Sequence, residues 1–262
     1  MERFHTAHPD VVLQINVTRW PYSFIGDDRS GRSSLAGSAN GVELKETWHD
    51  ALLGYMGNDP AKRDGAERSM AAQGRAAGIA FDYNVLAQWQ PVESQRLLLW
   101  AGRFGLQEEF ISAMNKRHFE QAQSASDRAT LMAAAEEVGL DTAAAAAFLA
   151  TDELEDHVWH WYGATIKEKG IHSIPLFCFS VPALGAVGGP FRNSSSAAAQ
   201  QQPFVVRGSM DSDYFLELFE VIRRDVEAGT RVVDQRAAKF DNPFNDAERK
   251  RAGSGASREC SA

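Results

Sequence analysis

The chain has 262 residues, 44% of them hydrophobic and 24% charged, which is enough apolar material to bury a core in one or two globular domains and excludes a disordered protein. A net charge of −8 gives no basic footprint for nucleic acid or an anionic membrane surface. No stretch reaches the roughly 18 apolar residues of a membrane span, and Met1–His5 leads into no apolar signal segment, so a cytoplasmic location is expected.

Cysteine usage narrows the chemistry. Cys178 and Cys260 are too few for a disulfide framework and form no Cys-x-x-Cys pair. Cys178 lies in the apolar run PLFCFSV and reads as a small buried hydrophobe rather than a reactive thiol, while Cys260 is in a polar tail.

In chain order, VVLQINV (11–17) alternates like a strand and breaks at Arg19-Trp20-Pro21-Tyr22-Ser23, before a short helix start near SFIGDD. A strand that feeds a helix through a short turn aims the first helical N–H groups at one point, where a thiolate, phosphate or carboxylate is favoured. Residues 29–42, rich in Ser, Gly and Asn, read as loop. From Glu43 the period is helical for over a hundred residues, in six segments bounded by Gly, Pro, Ser or Asp. Within them Trp100, Phe104 and Phe110 stand at helical spacing and read as core.

A further helix is expected over 152–169, acidic at its start and ending in Lys167, Lys169 and Gly170. The strand pattern then returns in PLFCFSV (175–181) and PFVVRG (203–208), separated by the low-complexity insert GAVGGPFRNSSSAAAQQQ. Residues 211–226 read as an amphipathic helix with Leu216, Phe219 and Val226 among its apolar positions, and 230–262 as a polar, disordered tail. His157 and His160, with Glu153 and Asp156, have metal-ligand chemistry at i, i+3 spacing, but no further ligands converge and no metal is expected.

The order strand, helix, long helical block, helix, strand, strand, helix resembles the thioredoxin fold as the DsbA family uses it. The segments GLQEEFISAMNKRHFEQAQSASDRATLMAAAEEVGLD, FLATDELEDHVWHWYGATIKEKGIHSIPLFCF and FVVRGSMDSDYFLELFEVI are similar to the FrnE-like branch. That branch is related to 2-hydroxychromene-2-carboxylate isomerase and kappa-class glutathione transferase. The likeness spans about residues 10–226. It implies an α/β, DsbA-type thioredoxin-like fold with a large all-helical insertion. The first part of the thioredoxin-like domain would be 10–42, the insertion 43–150 and the second part 151–229. Relatives carry a complete first helix and a second strand before the helical block, and Asp27–Val42 is too short for both. The sheet is then short of one strand, either because a coding segment is missing or because the chain is a degenerate member.

The resemblance also implies roles. Where FrnE-like proteins have Cys-Pro-Trp-Cys-Tyr-Ile-Gly, this chain has Trp20-Pro21-Tyr22-Ser23-Phe24-Ile25-Gly26. Both cysteine positions are replaced, and disulfide exchange needs a thiolate that neither Trp20 nor Ser23 can supply. In the isomerase and the kappa transferase the turn reads Ser-Pro-Tyr-Ser, and its first serine activates the glutathione thiol; here that position is Trp20. Ser23 is left as a helix cap or as the hydroxyl beside a bound thiol. Pro175, in SIPLF, matches the family's cis-proline, with Ile174 as the backbone contact for an extended ligand such as glutathione. Gly208 and Ser209 match the site that receives a γ-glutamyl carboxylate, although Met210 replaces an aspartate and Ser209 or Asp211 also suits a helix cap. Gln90 and Gln95 stand at the Asn and His of a family motif that keeps Arg96 and Leu97; Arg96 reads as a solvated helix arginine.

The catalytic candidates are therefore Ser23, Trp20 and Pro175, and the ligand-binding candidates Tyr22, Ile174, Gly208 and Ser209. Glutathione is the implied cofactor, and the implied partners are a small thiol or small-molecule substrate and a second subunit in a homodimer. The activity that follows is glutathione-dependent transfer or isomerisation within the oxidoreductase superfamily. The alternatives are an inactive thioredoxin-fold binding protein and, more weakly, an oxidoreductase using Cys178.

Overall fold

The computed structural model describes residues 1–27, 46–86, 90–184, 203–230, 232 and 235–239. Its first elements are α1 (Glu2–Ala7), α2 (Trp48–Tyr55), α3 (Pro60–Ala76), α4 (Val92–Gly102), α5 (Gln107–Gln121), α6 (Arg128–Glu137) and α7 (Thr142–Leu149). Then come α8 (Glu155–Gly163), a π-helical turn (Ala164–Glu168), β1 (Leu176–Phe179), β2 (Phe204–Arg207), α9 (Ser212–Ala228) and α10 (Gln235–Ala238). These elements fall into two compact units, one of residues Asn16–Ala164 and one of Met1–Ile15 with Thr165–Ala262.

The first unit is helical, and its helix starts are written in the sequence. Thr47, Asp59, Asp127 and Asp141 each accept a hydrogen bond from a first-turn N–H, and Pro60 occupies the first position of α3, where no N–H is needed. The apolar faces of α4 to α7 meet in a core that includes Leu97, Phe110, Leu131, Ala134 and Ala145, all fully buried. Trp100 joins it and stacks on Phe148 at 5.5 Å between centroids. Phe104, expected in that core, is 57% exposed and only meets the edge of Trp100, because it lies beyond the end of α4.

Arg96 also departs from its solvated reading. It is 3% exposed, and its guanidinium donates to the carbonyls of Glu153 (2.8 Å), Thr151 (2.5 Å) and Phe148 (3.4 Å). Those carbonyls lie at and beyond the C-terminal end of α7, where helix geometry leaves acceptors unsatisfied. The arginine thus closes α7 from inside the core.

In the second unit β1 and β2 form a two-stranded antiparallel sheet, with Leu176 opposite Arg207 and Phe179 opposite Phe204. Phe204 and Val206 pack with Leu218, Val221 and Ile222 of α9, and Phe4 of α1 closes the same cluster at 1% exposure. Leu216 is half-buried against this cluster and Phe219 is buried in it, but Val226 is 39% exposed and lies off the packed face. Asp211 caps α9 by accepting from the Tyr214 N–H.

The expected strand over 11–17 does not form. Val11 and Leu13 pack against the α9 cluster while Val12 is 92% exposed, so the alternation survives locally. No neighbouring strand offers these residues a ladder among the described residues, and a pattern of period two becomes a strand only with an edge to pair with. The expected helix start after Ser23 is a turn over residues 24–27. The loop over 29–42, the low-complexity insert, Cys260, the tail from 240 and all of the short Asp27–Val42 segment except Asp27 lie outside the described residues. Among the described residues no helix is long and apolar enough to cross a membrane.

Candidate functional site

The turn Arg19–Asp27 belongs to the helical unit and is tied to it at several points. The Arg19 backbone N–H donates to Gln107 Oε1 at 2.9 Å, and its guanidinium grips Glu108 with Nε and Nη2 at 2.6 and 2.7 Å. This paired geometry suits a planar guanidinium and a carboxylate, and it fastens the turn to the start of α5. At the other end Gln90, 4% exposed, donates from Nε2 to the Gly26 carbonyl at 2.8 Å. A Cβ on Gly163 of α8 would sit 2.7 Å from Asp27 Oδ2, so only glycine admits so close an approach there.

Between these anchors Ser23 is 2% exposed, and its Oγ accepts from the Ile25 N–H at 3.3 Å. The Gly26 N–H donates to the Ser23 carbonyl at 3.2 Å, and Gly26 adopts φ +65° to close the turn. Ser23 thus shapes the local backbone in the manner of a cap. Pro21 is buried and Tyr22 half-buried, with the Tyr22 ring edge-on to Phe24 at 5.1 Å. Burial raises the Tyr22 phenol above its ordinary value, so it is protonated near neutral pH.

Outward from the turn stand Trp20, Phe24 and Ile25, each more than two-fifths exposed. Trp20 meets Trp161 of α8 at 4.7 Å between centroids with the planes inclined at 66°. The Trp161 indole in turn donates to His157 Nε2 at 2.8 Å. His157 and His160 therefore serve an aromatic cluster, and among the described residues no group of three His, Cys, Asp or Glu side chains is placed to hold a metal ion.

The remaining candidates belong to the other unit. The Ile174–Pro175 bond is cis, as the family resemblance implies, and Ile174 is 49% exposed. The Gly208 N–H, read as a carboxylate donor, donates to the Pro175 carbonyl at 2.9 Å. Ser209 is exposed and the capping role falls to Asp211. The structure thus groups Trp20, Tyr22 and Ser23 in one turn, and Ile174, Pro175, Gly208 and Ser209 at one end of the β1–β2 pair.

A family model described as a DSBA-like thioredoxin domain matches residues 21–168, more than half of the chain. The chain belongs to the DSBA-like thioredoxin family. Its fold is accordingly the α/β thioredoxin-like fold with a helical insertion. Comparison with curated proteins gives no match.

Within this DSBA-like chain, Cys178 is the one cysteine among the described residues. It sits opposite Val205 in the β1–β2 pair, and burial pushes its thiol up to about 12. A thiol so far above neutral pH supplies almost no thiolate, the form that attacks disulfides. The residues that sequence reading left out are those holding the turn: Arg19, Gln107, Glu108 and Trp161. Their contacts join positions far apart in the chain, and only the acidic first turn of α5 and the helix-periodic Trp161 gave any local signal.

Proposed function

We propose that this chain is a FrnE-like member of its family that uses the Trp20–Ser23 turn to bind a small thiol or a peptide without exchanging disulfides there. The observation that carries this reading is the state of Ser23, which is 2% exposed and engaged with the Ile25 N–H at one of the two positions where relatives carry cysteine. The other position holds Trp20, whose exposed indole offers contact area and no nucleophile. The Cys178 thiol, pushed up to about 12, supports the same conclusion. A chain with so few cysteines suits a reducing, cytoplasmic setting.

A second reading, glutathione-dependent transfer or isomerisation with glutathione as cofactor, draws on one property of the same hydroxyl. Ser23 Oγ accepts from Ile25, and a hydroxyl that accepts still has its own proton to donate. A thiolate brought against it would be stabilised.

Calorimetric titration with glutathione and with S-methyl glutathione, on the wild type and on Ser23→Ala, separates the two. The binding reading expects both ligands to bind alike, no thiolate absorbance from bound glutathione, and no insulin reduction. Thiolate absorbance that appears on binding and vanishes in Ser23→Ala establishes the second reading instead. Insulin reduction by the wild type overturns the first, as does failure of glutathione and of extended peptides alike to bind at millimolar concentration.

A further inference from the structure

Helix α9 ends in a pair of backbone hydrogen bonds. Gly229, at φ +68°, donates to the Val226 carbonyl at 3.1 Å, and the Thr230 N–H reaches back to the Asp225 carbonyl at 3.1 Å. These are the two bonds by which a left-handed glycine closes a helix, and they fold the residue after the glycine onto the residue five positions before it. An apolar contact commonly joins that pair of side chains. Here the pair is Asp225 and Thr230.

Asp225 continues the stripe of Leu218, Val221 and Ile222 that faces the core, and it is 0% exposed. Arg224 donates from Nε and Nη2 to one of its carboxylate oxygens, Oδ1, at 3.2 and 2.9 Å, and its Nη2 also reaches the Val232 carbonyl at 3.4 Å. The other oxygen, Oδ2, is buried and has no hydrogen-bond partner among the described residues, and the same holds for the buried hydroxyl oxygen of Thr230. A buried carboxylate oxygen needs a donor, and a buried hydroxyl needs an acceptor for its proton. The motif thus brings together two buried oxygens with complementary needs, and no direct bond joins them.

Charge selects what can link them. The Asp225 carboxylate is already neutralised by the Arg224 guanidinium, so a cation at Oδ2 would add a second, uncompensated positive charge inside the protein. A neutral guest that donates to one oxygen and accepts from the other meets both needs without that cost. We propose that one water molecule is bound at the C-terminal end of α9, where it donates to Asp225 Oδ2 and accepts from the Thr230 hydroxyl. It takes the place of the apolar contact that helix ends of this kind commonly carry, and it fixes the turn by which the chain leaves α9.

The test counts long-lived internal waters in the full chain by oxygen-17 relaxation dispersion, a signal that hydroxyl proton exchange does not mimic. Thr230→Val, nearly isosteric, is expected to lower the count by one and the folding equilibrium constant about tenfold, because it leaves the water without its donor. Thr230→Ser keeps the hydroxyl and should keep the water. An unchanged count in Thr230→Val overturns the proposal. If Thr230→Val does not fold, the wild type decides alone: a high-resolution crystal structure with no water within hydrogen-bond distance of both oxygens overturns it. Two further arms separate other occupants. Arg231→Gln, which removes the next cation along the chain, should leave count and stability unchanged; a loss equal to that of Thr230→Val would assign Oδ2 to that side chain, and the proposal would fail. It would fail equally if potassium or ammonium chloride raised the unfolding midpoint of the wild type, but not of Thr230→Val, above that in choline chloride at equal ionic strength, since the guest would then be a cation.

Discussion

The Trp161 indole N–H donates to Nε2 of His157 at 2.8 Å, and this fixes the state of the imidazole. An indole nitrogen only donates, so Nε2 must accept and His157 must be neutral with its proton on Nδ1. Burial, with a smaller contribution from the neighbouring His160, holds the His157 pKa below its ordinary value of 6.5. The unfolded chain therefore takes up this proton before the folded chain does, and stability is lost as pH falls from about 6.5 through the folded pKa. Above that window the group contributes no pH dependence. Because Trp20 rests against Trp161, the step is expected in tryptophan fluorescence as well as in Tm. His157→Gln keeps an acceptor that does not titrate and should flatten the step, which amounts to no more than about 1 kcal/mol at this exposed site.

Arg96 should be among the least replaceable residues of the helical unit. Its one side chain donates to three carbonyls, of which that of Phe148 also accepts from the Thr151 N–H and hydroxyl, and it lies over the Phe148 ring at 5.1 Å. Arg96→Met keeps much of the volume and removes every donor that the side chain aims at the Thr151 and Glu153 carbonyls beyond the end of α7. Urea unfolding is expected to show a loss of about 3 kcal/mol, with Arg96→Lys intermediate because an ammonium lacks the planar fork.

These two residues also mark what a linear reading can reach. Helix positions followed from local chemistry where Asp or Pro signals bounded the segments, as at Asp59, Asp127, Asp141 and Asp211, whereas the segment read as helical from Glu43 has its helix from Trp48, capped by Thr47. The cis bond at Pro175 was also legible, because a resemblance placed it. The burial of Arg96 was not, since its partners lie more than fifty residues away. Nor was α1, a six-residue helix whose one deeply buried side chain, Phe4, gives no periodicity. The run 11–17 failed for the opposite reason: its pattern was clear, but a strand needs a neighbour that the pattern does not specify.

Cys178 gives a test of the non-redox reading that needs no ligand. With its thiol pushed up to about 12 by burial, only a trace is thiolate at pH 8. In a Cys260→Ser chain, labelling by an aromatic disulfide reagent is expected to be slow at pH 8 and to become rapid only in denaturant. Fast labelling of the native chain would show that the β1–β2 pair opens readily or that the thiol is activated.

Ser23→Ala removes the acceptor for the Ile25 N–H and should cost about 1 kcal/mol, as a lost cap does. If Ser23 does no more than shape the turn, glutathione affinity measured on Ser23→Ala stays within error of the wild type once both are fully folded. Ser23→Thr keeps a hydroxyl but adds a methyl at a position only 2% exposed, so a larger stability loss than for alanine is expected. That inversion of the usual chemical ordering is the mark of a packed hydroxyl.

Gln90 offers the sharpest control on the geometry of the turn. Its Nε2 donates to the Gly26 carbonyl at 2.8 Å in a buried setting, so Gln90→Leu leaves that carbonyl without its donor and should cost about 1–3 kcal/mol. The effect should be local first, with faster exchange of the Gly26 amide, which is held by the Ser23 carbonyl at 3.2 Å. Gln90→Glu adds a direction. A protonated glutamic acid can donate to the Gly26 carbonyl, whereas an ionised one repels it and is poorly solvated there. Its folded-state pKa is therefore raised above the unfolded value of about 4.3, and the Gln90→Glu chain should match the wild type most closely in acid and lose stability as pH rises above that value. Thermal unfolding of both variants between pH 4 and pH 8 checks this. A stability difference independent of pH would mean that the side chain at position 90 reaches water and that the bond to Gly26 does not hold the turn.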